Sequence, residues 1–191
     1  MKIVCISNRN IPAGFTFMEL LISIAIFVII TAMVIVNFRS GQYRDELLGG
    51  AEAIETALRE MQTKTNSGET VKCPLQPEPS APRDGYGVQI TDAPPLIIAF
   101  ADCSDDSSYK YTYNATDDLL LKTVLLPVNV AIEDSIPASP WNIVFSPFSE
   151  VVIVNTNYDI TPVVQITLKH SRTEREITVK LNRLTGQTSY E

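Results

Sequence analysis

Hydrophobic positions follow three different rhythms along this chain, and each rhythm predicts a different element. Residues 20–38 read LLISIAIFVIITAMVIVNF, 19 positions without a charge. Such a run is apolar on every helical face. A helix over 15–36 would be about 33 Å long, enough to cross the hydrocarbon core of a bilayer. A buried core helix is shorter and keeps a polar stripe, so the predicted element is a membrane span. From Leu47 the rhythm changes. Leu47, Ala51, Ile54, Leu58 and Met61 recur at 4-3-4-3 spacing, with Glu46, Glu52, Glu55, Arg59 and Glu60 among them. This is an amphipathic helix with one dry face. Gly49-Gly50 is its weak point, where a bend is open to it. Asn66-Ser67-Gly68 reads as its end, and Pro74 prevents a restart.

The third rhythm is that of strands. A strap over 71–83 holds Pro74, Pro77, Pro79 and Pro82. Beyond it, short β-branched runs separated by turn residues predict strands at 86–90, 96–101, 109–113, 119–126, 128–132, 142–145, 151–154, 163–169 and 174–181. No second helix competes with them. Segments 165–169 and 175–181 alternate apolar and polar, with Ser171-Arg172-Thr173 as the hairpin turn between them. The predicted fold class is α+β: a long N-terminal helix packed on an antiparallel β-sheet or β-sandwich head. Its parts are a leader over 1–14, an apolar helix over 15–38, an amphipathic continuation over 39–66 and a β-rich head over 67–191. The head is large enough for a single core.

Composition narrows the function classes. A hydrophobic share of 45% over 191 residues excludes wholesale disorder. Lys and Arg number 15 against 22 acids, net −7, the wrong sign for a general nucleic-acid binder. One His and three Cys leave no His/Cys zinc cluster. No nucleophile triad order, G-x-S-x-G, phosphate loop or H-E-x-x-H occurs. The chain therefore reads as non-enzymatic. His170, between Lys169 and Arg172, reads as a surface residue, and Trp141 as the seal of a core edge. Residues 169–191 carry a mild basic stripe (Lys169, Arg172, Arg175, Lys180, Arg183), for which DNA contact is the weaker reading.

Residues 1–14 carry Lys2 and Arg9, no acid, and end in Pro12-Ala13-Gly14. Positive charge here favours a cytoplasmic N-terminus. A secretory signal peptide fits poorly, because the apolar run is too long and Asn37-Phe38-Arg39-Ser40-Gly41 is no small-residue cleavage site. Glu19 interrupts the apolar block near its head. A carboxylate in a bilayer costs several kcal/mol and needs a partner. Either it reaches the headgroups, or it pairs with a cation in the same layer. Cleavage after Gly14 would create that cation, the α-amine of Phe15, four residues away.

The run GFTFMELLISIAIFVIITAMVIV, with its short basic leader ending in Gly, resembles the N-terminus of type IV prepilins and type II secretion pseudopilins. The resemblance implies cleavage between Gly14 and Phe15 by prepilin peptidase and N-methylation of Phe15. It implies that Glu19 neutralises the Phe15 amine of an adjacent subunit. The expected partners are other pilin or pseudopilin subunits, the peptidase, an inner-membrane assembly platform and the lipid bilayer; nucleic acid is not expected. The expected location is the inner membrane, single-pass with the head outside, and then a periplasmic or cell-surface filament. The mature chain would keep 13 basic residues against 22 acids, net −9. One departure is that no Pro or Gly interrupts 15–40, where many pilins carry one. The alternative is a membrane-anchored extracytoplasmic binding module that does not polymerise.

The C-terminal part resembles H-type minor pseudopilins through Asn142-Ile143-Val144-Phe145-Ser146-Pro147, Ile166-Thr167-Leu168, Arg175-Glu176-Ile177-Thr178-Val179 and Thr185-Gly186-Gln187. Phe148-Ser149 departs from it, since a Gly usually follows the Pro. Cys5 belongs to the leader, which leaves Cys73 and Cys103. An even pair outside the cytoplasm favours a disulfide worth about 3–4 kcal/mol, and two separate thiols remain the other reading. Some pseudopilins carry calcium in a β-loop. Asp102, Asp105 and Asp106 make a weak calcium candidate here, without the Gly and closing Glu of an EF-hand loop. A solvated acidic turn is the plainer reading, as it is for Asp117-Asp118 and Glu133-Asp134.

Overall fold

The structure, a computed structural model, describes residues 15–76, 78–104, 110–136, 141–147, 153–154 and 162–191. Gly14, Asp105, Asp106 and the predicted strand positions 109 and 151–152 lie outside them. The described residues form one helix and nine strands: α1 (Phe17–Ser67), β1 (Gly85–Asp92), β2 (Pro95–Asp102), β3 (Leu119–Leu125), β4 (Val130–Ile136), β5 (Trp141–Phe145), β6 (Ile153–Val154), β7 (Val163–His170), β8 (Glu176–Asn182) and β9 (Thr188–Tyr190). All pairings are antiparallel, in a five-stranded sheet ordered β3-β2-β1-β5-β6 and a four-stranded sheet ordered β4-β7-β8-β9. The α+β class is observed. The chain divides into two compact units, Met1–Gly41 and Gln42–Glu191.

In the first unit, no side chain of Phe17–Ile35 is buried. In the second, the 4-3-4-3 stripe is the spine of the core: Leu47, Ala51, Ile54, Leu58 and Met61 are all buried. They share one cluster with Val88, Ile90, Ile97 and Ile143 of the first sheet and Ile166, Leu168, Val179 and Leu181 of the second. Both sheets thus bury one face against the same helical stripe, which is why the strands alternate. Trp141 is fully buried in that cluster. Gly50 is buried in the helix; a Cβ there would touch Leu168 and Val130 at 3.4 Å, so its missing side chain lets α1 approach β4 and β7. The helix continues through Gly49-Gly50. It ends in a Schellman motif. Gly68 takes φ +63°, its N–H bonds the Thr65 carbonyl at 3.1 Å, and the Glu69 N–H bonds the Lys64 carbonyl at 3.2 Å.

The strap after the helix is pinned to the head. Cys73 and Cys103 are disulfide-bonded with Cα atoms 5.9 Å apart. Tyr86 donates its hydroxyl to the Glu69 carbonyl at 2.8 Å. Burial, with Glu69 nearby, pushes that phenol up to about 12.

Two strand expectations differ from the structure. Residues 110–113 are a turn segment, because Tyr111 adopts φ +62°, a left-handed conformation no strand accommodates. Tyr111 and Tyr113 instead cover the outer face of the first sheet, against Phe100 and Val144. Opposite them Gly87 leaves room for the Phe100 ring; a Cβ there would lie 2.6 Å from Cζ. The three-residue β9 was not expected, as Thr188, Ser189 and Tyr190 are too few to show alternation.

Ile54 lies fully buried between the two sheets, so Ile54→Ala should leave a cavity and lower unfolding free energy by about 2–5 kcal/mol. Denaturant titration of the detergent-solubilised full chain checks this; a loss under about 1 kcal/mol would show that the stripe is not the core.

Candidate functional site

The first candidate site is the head of the apolar helix. Phe15 is exposed, and Thr16 precedes the first helical residue. Glu19 Oε2 accepts the Thr16 N–H at 3.1 Å and lies 3.1 Å from the Thr16 hydroxyl. The Glu19 N–H in turn donates to Thr16 Oγ1 at 3.2 Å. This is a capping box, T-x-x-E, in which cap side chain and third-residue carboxylate satisfy each other's backbone donors. Thr16 was the residue the sequence reading missed, although its spacing to Glu19 was in plain view. The box turns the Glu19 carboxylate back toward the N-terminal end of the helix, where a negative charge also suits the helix dipole.

Within the span the polar side chains close on the helix itself. Ser23 Oγ donates to the Glu19 carbonyl at 2.7 Å, and Thr31 Oγ1 to the Phe27 carbonyl at 2.8 Å. Such back-bonding hides hydroxyls from an apolar surrounding. What remains exposed is hydrocarbon on all sides, including Phe17, Leu21, Phe27, Ile30 and Met33.

The second cluster lies in the head. His170 is fully buried rather than a surface residue, because its ring packs on Tyr43 at 4.8 Å between centroids. Its Nδ1 accepts the Arg172 N–H at 3.2 Å. An acceptor at Nδ1 puts the proton on Nε2, which donates to Glu46 Oε2 at 3.2 Å. Asn129 donates to the same oxygen at 2.9 Å, and that hydrogen bond, ahead of the imidazole, holds the Glu46 carboxyl below its ordinary value. Glu46, Asn129 and His170 tie α1 to the turn before β4 and to the end of β7 across more than eighty residues of sequence. No local pattern announces such a contact.

The third cluster is acidic. Asp84, Asp102 and Asp118 are all buried. Asp118 accepts the Cys103 N–H at 2.9 Å and the Asn114 N–H at 2.7 Å. Asp102 Oδ2 accepts the Tyr111 N–H at 2.9 Å, while its buried Oδ1 makes no hydrogen bond. Burial, then repulsion from Asp118 and Asp84, pushes the Asp102 carboxyl up to about 7. Burial likewise raises Asp118. Of the weak calcium trio, Asp102 is thus a buried carboxyl, and Asp105 and Asp106 lie outside the described residues. Among the described residues no group of three or more His, Cys, Asp or Glu side chains is arranged to hold a metal ion.

The basic stripe disperses in three dimensions. Lys169 pairs with Glu133 at 2.6 Å, Lys180 pairs with Glu191, and Arg183 is buried.

Residues 9–35 match the prokaryotic N-terminal methylation motif. That segment holds Gly14, Phe15, the Thr16–Glu19 box and the exposed apolar span. No curated protein and no solved structure matches the chain.

Between about pH 4 and about pH 7 the folded chain keeps a proton on Asp102 that the unfolded chain releases, so this group's contribution to stability falls as pH rises through that window. Asp102→Asn should therefore raise the Tm at pH 8 relative to the parent chain, with the gain shrinking toward pH 4. Thermal unfolding at both pH values checks it; an offset independent of pH would contradict it.

Proposed function

We propose that this chain, which carries the N-terminal methylation motif of type IV pilin-like proteins and pseudopilins, is a structural subunit of a type IV pilus-like or type II secretion filament. In this reading prepilin peptidase cleaves between Gly14 and Phe15 and methylates the new Phe15 amine. The Phe17–Ile35 helix waits in the inner membrane, its N-terminus cytoplasmic and its head outside. The assembly platform then brings it alongside other subunits. Methylation leaves the amine cationic. Glu19 of one subunit neutralises that cation in its neighbour. The role is structural rather than catalytic.

The observation that carries this reading is a helix with no buried side chain over Phe17–Ile35 and one carboxylate at its head. Moving that helix from lipid into a filament core gains no hydrophobic free energy, since lipid already covers it. The gain comes from packing and from pairing the charge.

Glu19 has a second role, as the third residue of a capping box, and one substitution separates the two. Glu19→Gln keeps the cap, because Gln serves that position as well, and removes the charge. If charge pairing drives assembly, Glu19→Gln and Glu19→Val should both insert in the membrane and both fail to enter filaments. Fractionation into membrane and sheared-filament pools measures this. Normal filament entry of Glu19→Gln would leave Glu19 as a cap only.

A further inference from the structure

The second unit begins at Gln42. Close to that start, helix residues 44–48 meet the beginning of β8 and the end of β9 around a groove of about 450 Å³. Apart from buried Leu47 its lining mixes apolar Leu48, Ile177 and Tyr190 with charged Arg44, Arg175, Glu176 and Glu191, the last already paired with Lys180. These seven are at least partly exposed. Among the described residues neither Arg44 nor Arg175 makes an ion pair, while Glu176 has only Lys169 at 3.8 Å. Guanidinium groups without partners beside exposed apolar surface mark a place that something amphiphilic fills.

The chain limits what that something is. Seven residues lead from Ile35, the last residue of the apolar span, to Gln42. Even fully extended they reach no more than about 25 Å. Once the span lies in a bilayer, the start of the head stays within that reach of the lipid surface. With Glu191 held by Lys180, two guanidiniums, the Glu176 carboxylate and an apolar wall form a two-signed, half-greasy set. A wholly anionic ligand would meet Glu176 unfavourably, and a wholly apolar one would strand the arginines. A zwitterionic phospholipid satisfies every part, with its phosphate, its ammonium, and its glycerol and upper acyl carbons.

We propose that this groove binds the headgroup of a zwitterionic phospholipid from the bilayer that holds the span. Arg44 and Arg175 take the phosphate, Glu176 takes the ammonium, and Leu48, Ile177 and Tyr190 lie against the glycerol and first acyl carbons. The site rests on the span being in the membrane. It adds a second hold on the bilayer, one that extraction of the subunit into a filament must release.

Photo-crosslinking of the full chain in phosphatidylethanolamine vesicles tests it. One sample carries p-benzoylphenylalanine in place of Tyr190, and a control carries it in place of Phe27 within the span. Irradiation should give adducts heavier by one phospholipid at both sites. Arg44→Ala with Arg175→Ala should cut the adduct at 190 roughly tenfold, as expected for losing charge-assisted hydrogen bonds, and leave the adduct at 27 unchanged. Lys at both positions should restore part of it. A lipid adduct at 27 with none at 190, a cross-link at 190 to a second copy of the chain, or a lipid adduct at 190 indifferent to both arginines would each overturn the groove proposal while membrane anchoring stands. No lipid adduct at either site would overturn the anchoring itself, and the groove with it.

Discussion

Nineteen helical residues, Phe17–Ile35, leave none of their side chains buried, and Ser23 and Thr31 turn their hydroxyls back on their own helix. An apolar surface of that extent in water is unstable as a monomer, so lipid or other helices must cover it. Lipid does so at once. Other helices do so only if packing and polar pairing outweigh what lipid already provides. In the proposed filament the lone acid at the head of the span is the polar group on which that balance turns. Glu19 is turned toward the N-terminus by its bonds to Thr16, so its charge sits where a new amine would appear.

The head solves a separate packing problem with the second half of the same helix. Its stripe of Leu47, Ala51, Ile54, Leu58 and Met61 is the one apolar surface that two sheets share. Gly50 allows close approach on one side, and the Cys73–Cys103 bond and the Tyr86 hydroxyl fasten the strap on the other. Polar groups, buried or half-buried, sit at the margins of this core. Glu46 with Asn129 and His170 marks one, and Asp84, Asp102 and Asp118 mark another.

Periodic features were legible in the amino-acid sequence. The unbroken apolar run, the 4-3-4-3 stripe, the helix end at Gly68 and most strands follow from repeat patterns that need no knowledge of distant residues. Non-periodic features were not. The charged neighbours Lys169 and Arg172 predict an exposed His170, whereas its burial depends on Tyr43 and Glu46 far earlier in the chain. The segment at 110–113 has strand-like composition, yet the Tyr111 N–H is held by Asp102 and its backbone turns left-handed. β9 was too short for any pattern. At the head of the span, the T-x-x-E spacing of Thr16 and Glu19 is itself a local signal for the capping box.

The most direct measurement is the intact and N-terminal mass of the protein purified from membranes of cells with an active prepilin peptidase. The account predicts a chain that begins at Phe15, lacks residues 1–14, and carries one methyl group on the terminal nitrogen. A chain that retains Met1 through Gly14 in those cells would contradict it.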